Sequence, residues 1–193
     1  MKNHLENNIR CVIIDRDGVI NFDSPDYIKT PDEWIPIPGS LEAIAKLNKA
    51  GFLVALATNQ AGPAQGKYSY ENSQKIFTKM EESLKNLGGF FNYIAKCEHH
   101  PKDQCECRKP KPGLLLEILE KLNLEPSECV FIGDSLKDIQ AAQAANIKPI
   151  LVLTGSGVKT KDKLLELNKL DKNIEIYQDL NEASKRFCIP CSP

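Results

Sequence analysis

The chain has 193 residues, 41% of them hydrophobic, which is enough to bury the core of one domain. Its 25 basic and 26 acidic residues give a net charge of −1, so there is no global attraction to nucleic acid or to an anionic membrane. No apolar run approaches the roughly 20 residues that cross a bilayer, and the polar start lacks the apolar stretch of a signal peptide. We therefore expect a cytoplasmic protein whose seven cysteines are metal ligands or free thiols rather than disulfides.

Short β-branched runs alternate with segments of helical periodicity along the whole chain. Strands are predicted at 11–14, 52–58, 90–96, 129–133, 149–153 and about 174–177, and helices at 39–51, 69–89, 113–123, 135–146, about 160–169 and about 180–187. In the first helix Ser40 is the predicted N-cap and Gly51 the predicted stop. The alternation is typical of an α/β protein with a Rossmann-like, doubly wound parallel sheet, and residues 1–193 are expected to form one domain with a loose tail at about 188–193.

Polar residues follow several of the predicted strands, where ligands bind in sheets of this kind. Asp15 and Asp17 come after the first strand, Thr58 and Asn59 after the second, and Asp134 after the fourth. Each group alone also fits an ordinary turn or a helix cap. Residues two apart in an extended segment point to the same side, so Asp15 and Asp17 can face one site. Carboxylates from different strand ends would form an oxygen-rich site of the kind that Mg²⁺ prefers.

The stretch "CEHHPKDQCECRKPKPG" at 97–113 combines soft metal ligands with cations. Three sulfurs and one imidazole nitrogen suit a tetrahedral, closed and therefore structural Zn²⁺ site. The candidate ligands are Cys97, His99 or His100, Cys105 and Cys107. The spacing differs from the usual C-x-x-C, and accidental surface thiols are the alternative. Because Arg108 and Lys109 follow the last ligand, zinc would stiffen a loop that places two cations at the site.

The ordered motifs "DRDGVIN", "ATNQ", "RKPKPG" and "IGDSLKD" resemble the haloacid dehalogenase superfamily of phosphatases over roughly residues 9–157. Within the superfamily, the cysteine-rich loop and "PDEWIPIPGSLEAIAKLNKAGF" are similar to the phosphatases of heptose bisphosphates, with histidinol-phosphate phosphatases as the alternative. The resemblance implies removal of the 7-phosphate of a heptose 1,7-bisphosphate, preferably the β anomer, during synthesis of lipopolysaccharide precursors. A zinc-ordered binding module is a further alternative, but it leaves the three aspartates unexplained.

The resemblance also implies roles for individual residues. Asp15 would be the nucleophile that forms an aspartyl-phosphate, and Asp17 the general acid and base. Mg²⁺ would be bound by Asp15, by the backbone carbonyl of Asp17 and by Asp134. Thr58 and Lys109 would hold the phosphoryl oxygens as charge develops on them. His99, rather than His100, would complete the zinc site.

The remaining expectations concern the substrate, a small phosphorylated sugar. Arg108 would hold another substrate oxygen, such as one of the second phosphate. Asp23 and Tyr27, in the loop 21–27, would line the sugar pocket together with Asn59 and Gln60. The stretch from residue 58 to residue 97 is too short for a separate cap domain, so short loops, including the zinc loop 97–107, would roof the site. We expect a monomer without a nucleic-acid or membrane partner.

Overall fold

The computed structural model describes residues 8–167 and 174–187, so the predicted loose tail at 188–193 lies outside the described residues. In this described part of the chain, six strands form one sheet, namely β1 Cys11–Ile14, β2 Leu53–Asn59, β3 Tyr93–Cys97, β4 Cys129–Gly133, β5 Lys148–Val152 and β6 Glu175–Tyr177. All neighbouring strands are parallel, and their order is β3-β2-β1-β4-β5-β6. This is the predicted Rossmann-like sheet, and its order reverses between β1 and β4, where such sheets bind ligands.

Among the described residues, six α-helices cover the two faces of the sheet. They are α1 Ser40–Lys49, α2 Tyr70–Lys85, α3 Gly113–Leu122, α4 Leu136–Ala144, α5 Gly157–Glu166 and α6 Leu180–Lys185. In β1, Val12 and Ile14 pack with apolar residues of α1, α2 and α6. Cys11 and Ile13 point the other way and pack with residues of α3 and α4. Alternate residues of this strand therefore face different helical layers, which explains why a central parallel strand is continuously apolar.

Several predicted element ends differ from the observed ones by a few residues, and two of these differences involve specific side-chain contacts. Ser40 is not the N-cap of α1, because Gly39 occupies that position with φ 83°. The Ser40 hydroxyl is buried and donates instead to the carbonyl oxygen of Ile20 at 2.6 Å, which ties α1 to the loop after β1. The third strand begins at Tyr93 rather than at residue 90. Immediately before it, the Asn92 side chain accepts a hydrogen bond from the Val54 N–H at 2.8 Å.

Between β2 and β3 the described chain contains one helix, α2, and turns. As predicted, this connection contains no large cap domain, so in the described part of the chain the site at the carboxyl ends of the strands is covered only by the loops that follow them. Among the residues that the structure describes, none of the helices has both the length and the apolar character needed to cross a bilayer.

Candidate active site

The carboxyl ends of β1, β2 and β4 meet at one cavity with a volume of about 690 Å³. The predicted catalytic, magnesium and sugar-binding residues all line it, namely Asp15, Asp17, Asp23, Tyr27, Thr58, Asn59, Gln60, Arg108, Lys109 and Asp134. Residues that are far apart in the sequence are brought together here by the sheet and by the loop that precedes α3. The four predicted zinc ligands form a separate cluster in that loop.

Lys109 lies at the bottom of the cavity with only 3% of its surface exposed. Its ammonium group is 2.8 Å from Asp15 Oδ2 and 2.6 Å from Asp138 Oδ1, and it donates to the carbonyl oxygen of Ala57 at 2.9 Å. Burial lowers the pKa of Lys109, but the carboxylates of Asp138 and Asp15 outweigh burial and hold this pKa above its ordinary value. The ammonium group is therefore a permanent positive charge beside Asp15.

Asp138 is a site residue to which the sequence analysis assigned no role, although it lies near the predicted metal ligand Asp134 in the sequence. Its Oδ2 accepts from the backbone N–H of Ser135 at 3.0 Å and from the Ser135 hydroxyl at 2.5 Å, while its Oδ1 contacts Lys109. The residue thus caps α4 and at the same time balances the buried lysine. The only sequence signal for it is the Ser-x-x-Asp capping pattern after a strand, which does not distinguish a cap from a site residue.

Asp134 is enclosed by the backbone of two loops. A Cβ atom added to either Gly18 or Gly155 would lie 2.2 Å from Asp134 Oδ2, and both glycines have positive φ values. The same oxygen accepts from the backbone N–H of Ser156 at 2.7 Å. Burial raises the pKa of Asp134 to about 7; the bond from Ser156 lowers it and the negative charge of Asp138 raises it further.

Three carboxylates form one cluster at the floor of the cavity. Asp15, Asp134 and Asp138 each offer an oxygen within 4.8 Å of the others. Burial raises the pKa of Asp15 well above its ordinary value; Lys109 opposes this effect, and the two neighbouring carboxylates add to it. With all three carboxyl groups ionised, the cluster has more negative charge than the Lys109 ammonium group balances, which fits a hard divalent cation such as Mg²⁺.

Asp17 points to a different set of partners. It accepts two bonds from Arg16, at 3.0 Å from Nε and 2.9 Å from Nη2, and one each from the side-chain amides of Asn21 and Gln60, both at 2.9 Å. Burial raises the pKa of Asp17, but the Arg16 charge and these bonds outweigh burial and hold the pKa below its ordinary value. Asp17 is therefore ionised here, and it has to release some of these bonds before it can donate a proton.

Residues at the end of β2 line the cavity and also hold other site residues in place. Thr58 is 1% exposed, and its hydroxyl oxygen accepts from the Gln60 amide at 2.8 Å. Asn59 and Lys109 exchange two bonds: Asn59 Nδ2 donates to the Lys109 carbonyl, and the Lys109 N–H donates to Asn59 Oδ1, both at 3.1 Å. Asn59 thus fixes the backbone of the lysine, a role that the sequence analysis did not anticipate.

The cysteine and histidine side chains of the loop 97–107 converge on one point. Cys97 Sγ and Cys105 Sγ are 3.5 Å apart, Cys105 Sγ and Cys107 Sγ 3.4 Å, and His99 Nδ1 and Cys107 Sγ 3.2 Å. Ligand atoms of a tetrahedral zinc are about 3.5–3.8 Å apart, so the cluster fits this metal after a small expansion. His100 instead accepts from the Lys102 N–H at 3.1 Å and caps a short 3₁₀ helix, which favours His99 as the ligand.

Arg108 connects this loop to the cavity. Its Nη2 donates to the carbonyl oxygen of His99 at 2.9 Å, and its buried Nε has no hydrogen-bond partner among the described residues. The guanidinium group also lines the cavity. The position of Arg108 therefore depends on the backbone of the predicted zinc site.

Comparison with known proteins assigns the chain to a family. The sequence profile of the haloacid dehalogenase-like hydrolases matches residues 23–146. The chain belongs to this family. Because the matched region begins after Asp15 and Asp17, the position of these two aspartates at the end of β1 is an independent observation that agrees with the assignment.

Relatives of this haloacid dehalogenase-like chain carry a common name. The D-glycero-beta-D-manno-heptose-1,7-bisphosphate 7-phosphatase of Pseudomonas aeruginosa is 51% identical over 169 residues, covering 88% of this chain and 92% of the relative. The enzyme of the same name from Bordetella bronchiseptica is 45% identical over 179 residues, covering 93% and 98%.

A solved structure from the same haloacid dehalogenase-like group has a closely similar fold. The crystal structure of the D,D-heptose 1,7-bisphosphate phosphatase from B. bronchiseptica, complexed with magnesium and phosphate, superposes with a TM-score of 0.86. It has 41% sequence identity to this chain and covers 92% of this chain and 97% of its own. The six-stranded parallel sheet with its flanking helices is therefore the fold of this family.

The crowding of carboxylates predicts how pH affects the protein without divalent cations. The pKa of Asp134 rises from its ordinary value of 3.8 to about 7 on folding, so the group favours the folded state at low pH and disfavours it as the pH rises towards 7 and above. Asp134→Asn removes the charge. In the presence of a chelator it should raise the free energy of unfolding on the order of 2 kcal/mol at pH 8, and clearly less at pH 5.

Urea denaturation at the two pH values measures this difference. The control is Asp162→Asn, which removes a charge from an exposed position on α5 and should have the same small effect at both pH values. An Asp134→Asn variant that loses equal stability at pH 5 and pH 8 would contradict the electrostatic account of the carboxylate cluster.

Proposed function

We propose that this chain is a Mg²⁺-dependent phosphatase that removes the 7-phosphate of D-glycero-D-manno-heptose 1,7-bisphosphate, preferably the β anomer, in the synthesis of lipopolysaccharide heptose precursors. The names of the relatives support the substrate. The observation that carries the chemistry is the buried contact of 2.8 Å between Asp15 and the Lys109 ammonium group, at the floor of a cavity that also contains Asp134.

Asp15 is the proposed nucleophile. One of its carboxylate oxygens attacks the phosphorus atom, the bond from phosphorus to the sugar oxygen breaks, and an aspartyl-phosphate forms. Asp17 donates a proton to the departing sugar oxygen. Asp17 then takes a proton from water, the water oxygen attacks the phosphorus atom, and the bond to Asp15 breaks to release inorganic phosphate. The four bonds that Asp17 accepts stabilise its ionised form, which is the form required in the second step.

Thr58 and Lys109 are the proposed partners of the phosphoryl oxygens. The Thr58 hydroxyl oxygen accepts from Gln60 at 2.8 Å, so its own proton is available for a phosphoryl oxygen. The Lys109 ammonium group is held by Asp138 and by the Ala57 carbonyl, so it does not have to be ordered when charge develops on the phosphoryl group. Fixed donors of this kind stabilise a transition state without a reorganisation cost.

Asp15, the backbone carbonyl of Asp17 and Asp134 are the proposed Mg²⁺ ligands. The crowded oxygens of Asp15, Asp134 and Asp138 fit a hard divalent cation. When bound, Mg²⁺ reduces the repulsion between the Asp15 carboxylate and the phosphate dianion and polarises a phosphoryl oxygen. Asp138 has a positioning role beside this site, because it already caps α4 and contacts Lys109.

The sugar is proposed to lie under the loop 21–27. Asp23 and Tyr27 line the cavity from this loop, and the Tyr27 hydroxyl accepts from the Gln65 amide at 2.9 Å. Asn59 and Gln60 also line the cavity and are proposed to complete the sugar pocket. Arg108 has a buried Nε without a described partner and is proposed to hold a further substrate oxygen.

Zinc is proposed to have a structural role. Three sulfurs and one nitrogen leave no open coordination position for chemistry. The cluster is connected to the cavity through the bond from Arg108 to His99 and through Lys109, two residues after Cys107. The free thiols of Cys11 and Cys129 support a reducing, cytoplasmic location.

That the whole chain forms one domain and acts as a monomer stays a prediction.

Phosphate release from purified protein tests the proposed activity. With Mg²⁺ present, the β anomer of heptose 1,7-bisphosphate should be hydrolysed with a higher kcat/KM than the α anomer, and both with a higher kcat/KM than histidinol phosphate. Asp15→Asn should reduce release to the background rate, because an amide cannot act as the nucleophile, while circular dichroism should show an intact fold.

Two results would contradict this assignment in different ways. Faster hydrolysis of histidinol phosphate than of either heptose anomer would show that the proposed substrate is wrong. Substantial phosphate release by the folded Asp15→Asn variant would show that the proposed covalent mechanism is wrong, even if the substrate is correct.

Two cysteine variants, one in the zinc loop and one outside it, test the proposed positioning role of zinc. Wild-type protein purified under reducing conditions should contain about one zinc by elemental analysis. Cys107→Ala should lose the zinc and lower kcat/KM about 100-fold, because a displacement of about 1 Å at a catalytic cation has an effect of that size. Cys129→Ala removes a buried thiol of β4 and should retain both the zinc and the activity. Full activity of Cys107→Ala after loss of the zinc would contradict the positioning role.

A further inference from the structure

Two of the described cations that line the cavity already have anionic partners. The Arg16 guanidinium group forms two bonds to Asp17, and the Lys109 ammonium group contacts Asp15 and Asp138. These charges are balanced before a substrate arrives. A sugar bisphosphate carries a second phosphate that does not react, and this group needs cations that are not already paired.

Lys137 and Lys163 meet that requirement. Both line the cavity, both are exposed, and neither forms an ion pair with any residue that the structure describes. Lys137 is the second residue of α4, two residues after Ser135 and three after Asp134. Lys163 is in the second half of α5, and because helical side chains tilt towards the N-terminus of their helix, its ammonium group reaches back to the cavity.

The residues around the two lysines favour binding of an anion beside them. Gln140 of α4 and Ser156, immediately before α5, also line the cavity and offer neutral hydrogen-bond donors. The positive ends of the dipoles of α4 and α5 also point to this edge of the sheet. On the loop 21–27, by contrast, Asp23 lines the cavity with a carboxylate, which would repel a phosphate.

We propose that Lys137 and Lys163 bind the phosphate that the reaction leaves on the sugar, and so make the enzyme prefer sugar bisphosphates to sugar monophosphates. This inference rests on the proposed phosphatase function and adds a specificity site to it. The site is distinct from Arg108, which enters the cavity from the zinc loop and has one of its donors bound to His99. Because both ammonium groups are exposed, the preference should weaken as the ionic strength increases.

Binding without turnover tests the proposal. In the Asp15→Asn background with Mg²⁺, calorimetry compares the Kd of heptose 1,7-bisphosphate with that of heptose 7-phosphate. With both lysines present, the bisphosphate should bind about tenfold more tightly, the scale expected for two exposed charge pairs. Adding Lys137→Gln and Lys163→Gln together should bring the two Kd values to within about threefold, through weaker binding of the bisphosphate.

Lys121→Gln is the matched control. It removes the same charge from an exposed residue at the carboxyl end of α3, the end away from the cavity, and should leave the tenfold preference unchanged. The proposal is overturned if the preference persists in the double variant, if it is absent from the parent protein, or if only Arg108→Gln abolishes it. A wild-type protein that binds the bisphosphate with this preference but releases no phosphate from it would contradict the proposed function while leaving the lysine site intact.

Discussion

The buried ammonium group of Lys109 is the constraint on which the rest of the site depends. An isolated charge with 3% exposure would be strongly unfavourable, so it requires anionic partners with good geometry. Asp15 and Asp138 provide them at 2.8 Å and 2.6 Å. Each partner belongs to a different element, since Asp15 follows β1 and Asp138 lies in the first turn of α4. The lysine therefore links the two elements on either side of the point where the strand order reverses.

Three separate parts of the chain keep Lys109 in that position. Asn59, at the end of β2, forms two bonds to its backbone. Ser135 holds Asp138 through the capping bonds at the start of α4. The cysteine-rich loop precedes the lysine directly and is connected to it through Arg108. A closed metal site in this loop would serve a chemical purpose without contacting the substrate, because it would limit where the following two cations can lie.

Sequence reasoning predicted the main features of this arrangement because they depend on local patterns. Apolar runs at strand spacing predicted the parallel sheet, and polar residues after the strands marked the site, since every parallel strand ends at the same edge. It assigned no role to Asp138, because a capping aspartate has the same local pattern whether or not a lysine contacts its second oxygen. Ser40 was misassigned for a related reason: its partner, the Ile20 carbonyl, is distant in the sequence. Contacts between distant segments, such as that of Asn59 with Lys109, have no local signature.

The protonation state of Lys109 is the most direct test of this account. An NMR titration of the Lys109 side chain, assigned by comparison with a Lys109→Met variant, would follow the ammonium group as the pH rises. The carboxylates that outweigh burial should hold the pKa of Lys109 above its ordinary value of 10.5, so the group should stay charged throughout the range from about pH 6 to pH 10. Loss of the proton near neutral pH would contradict the account, because a neutral lysine could neither balance Asp138 nor stabilise charge on a phosphoryl group.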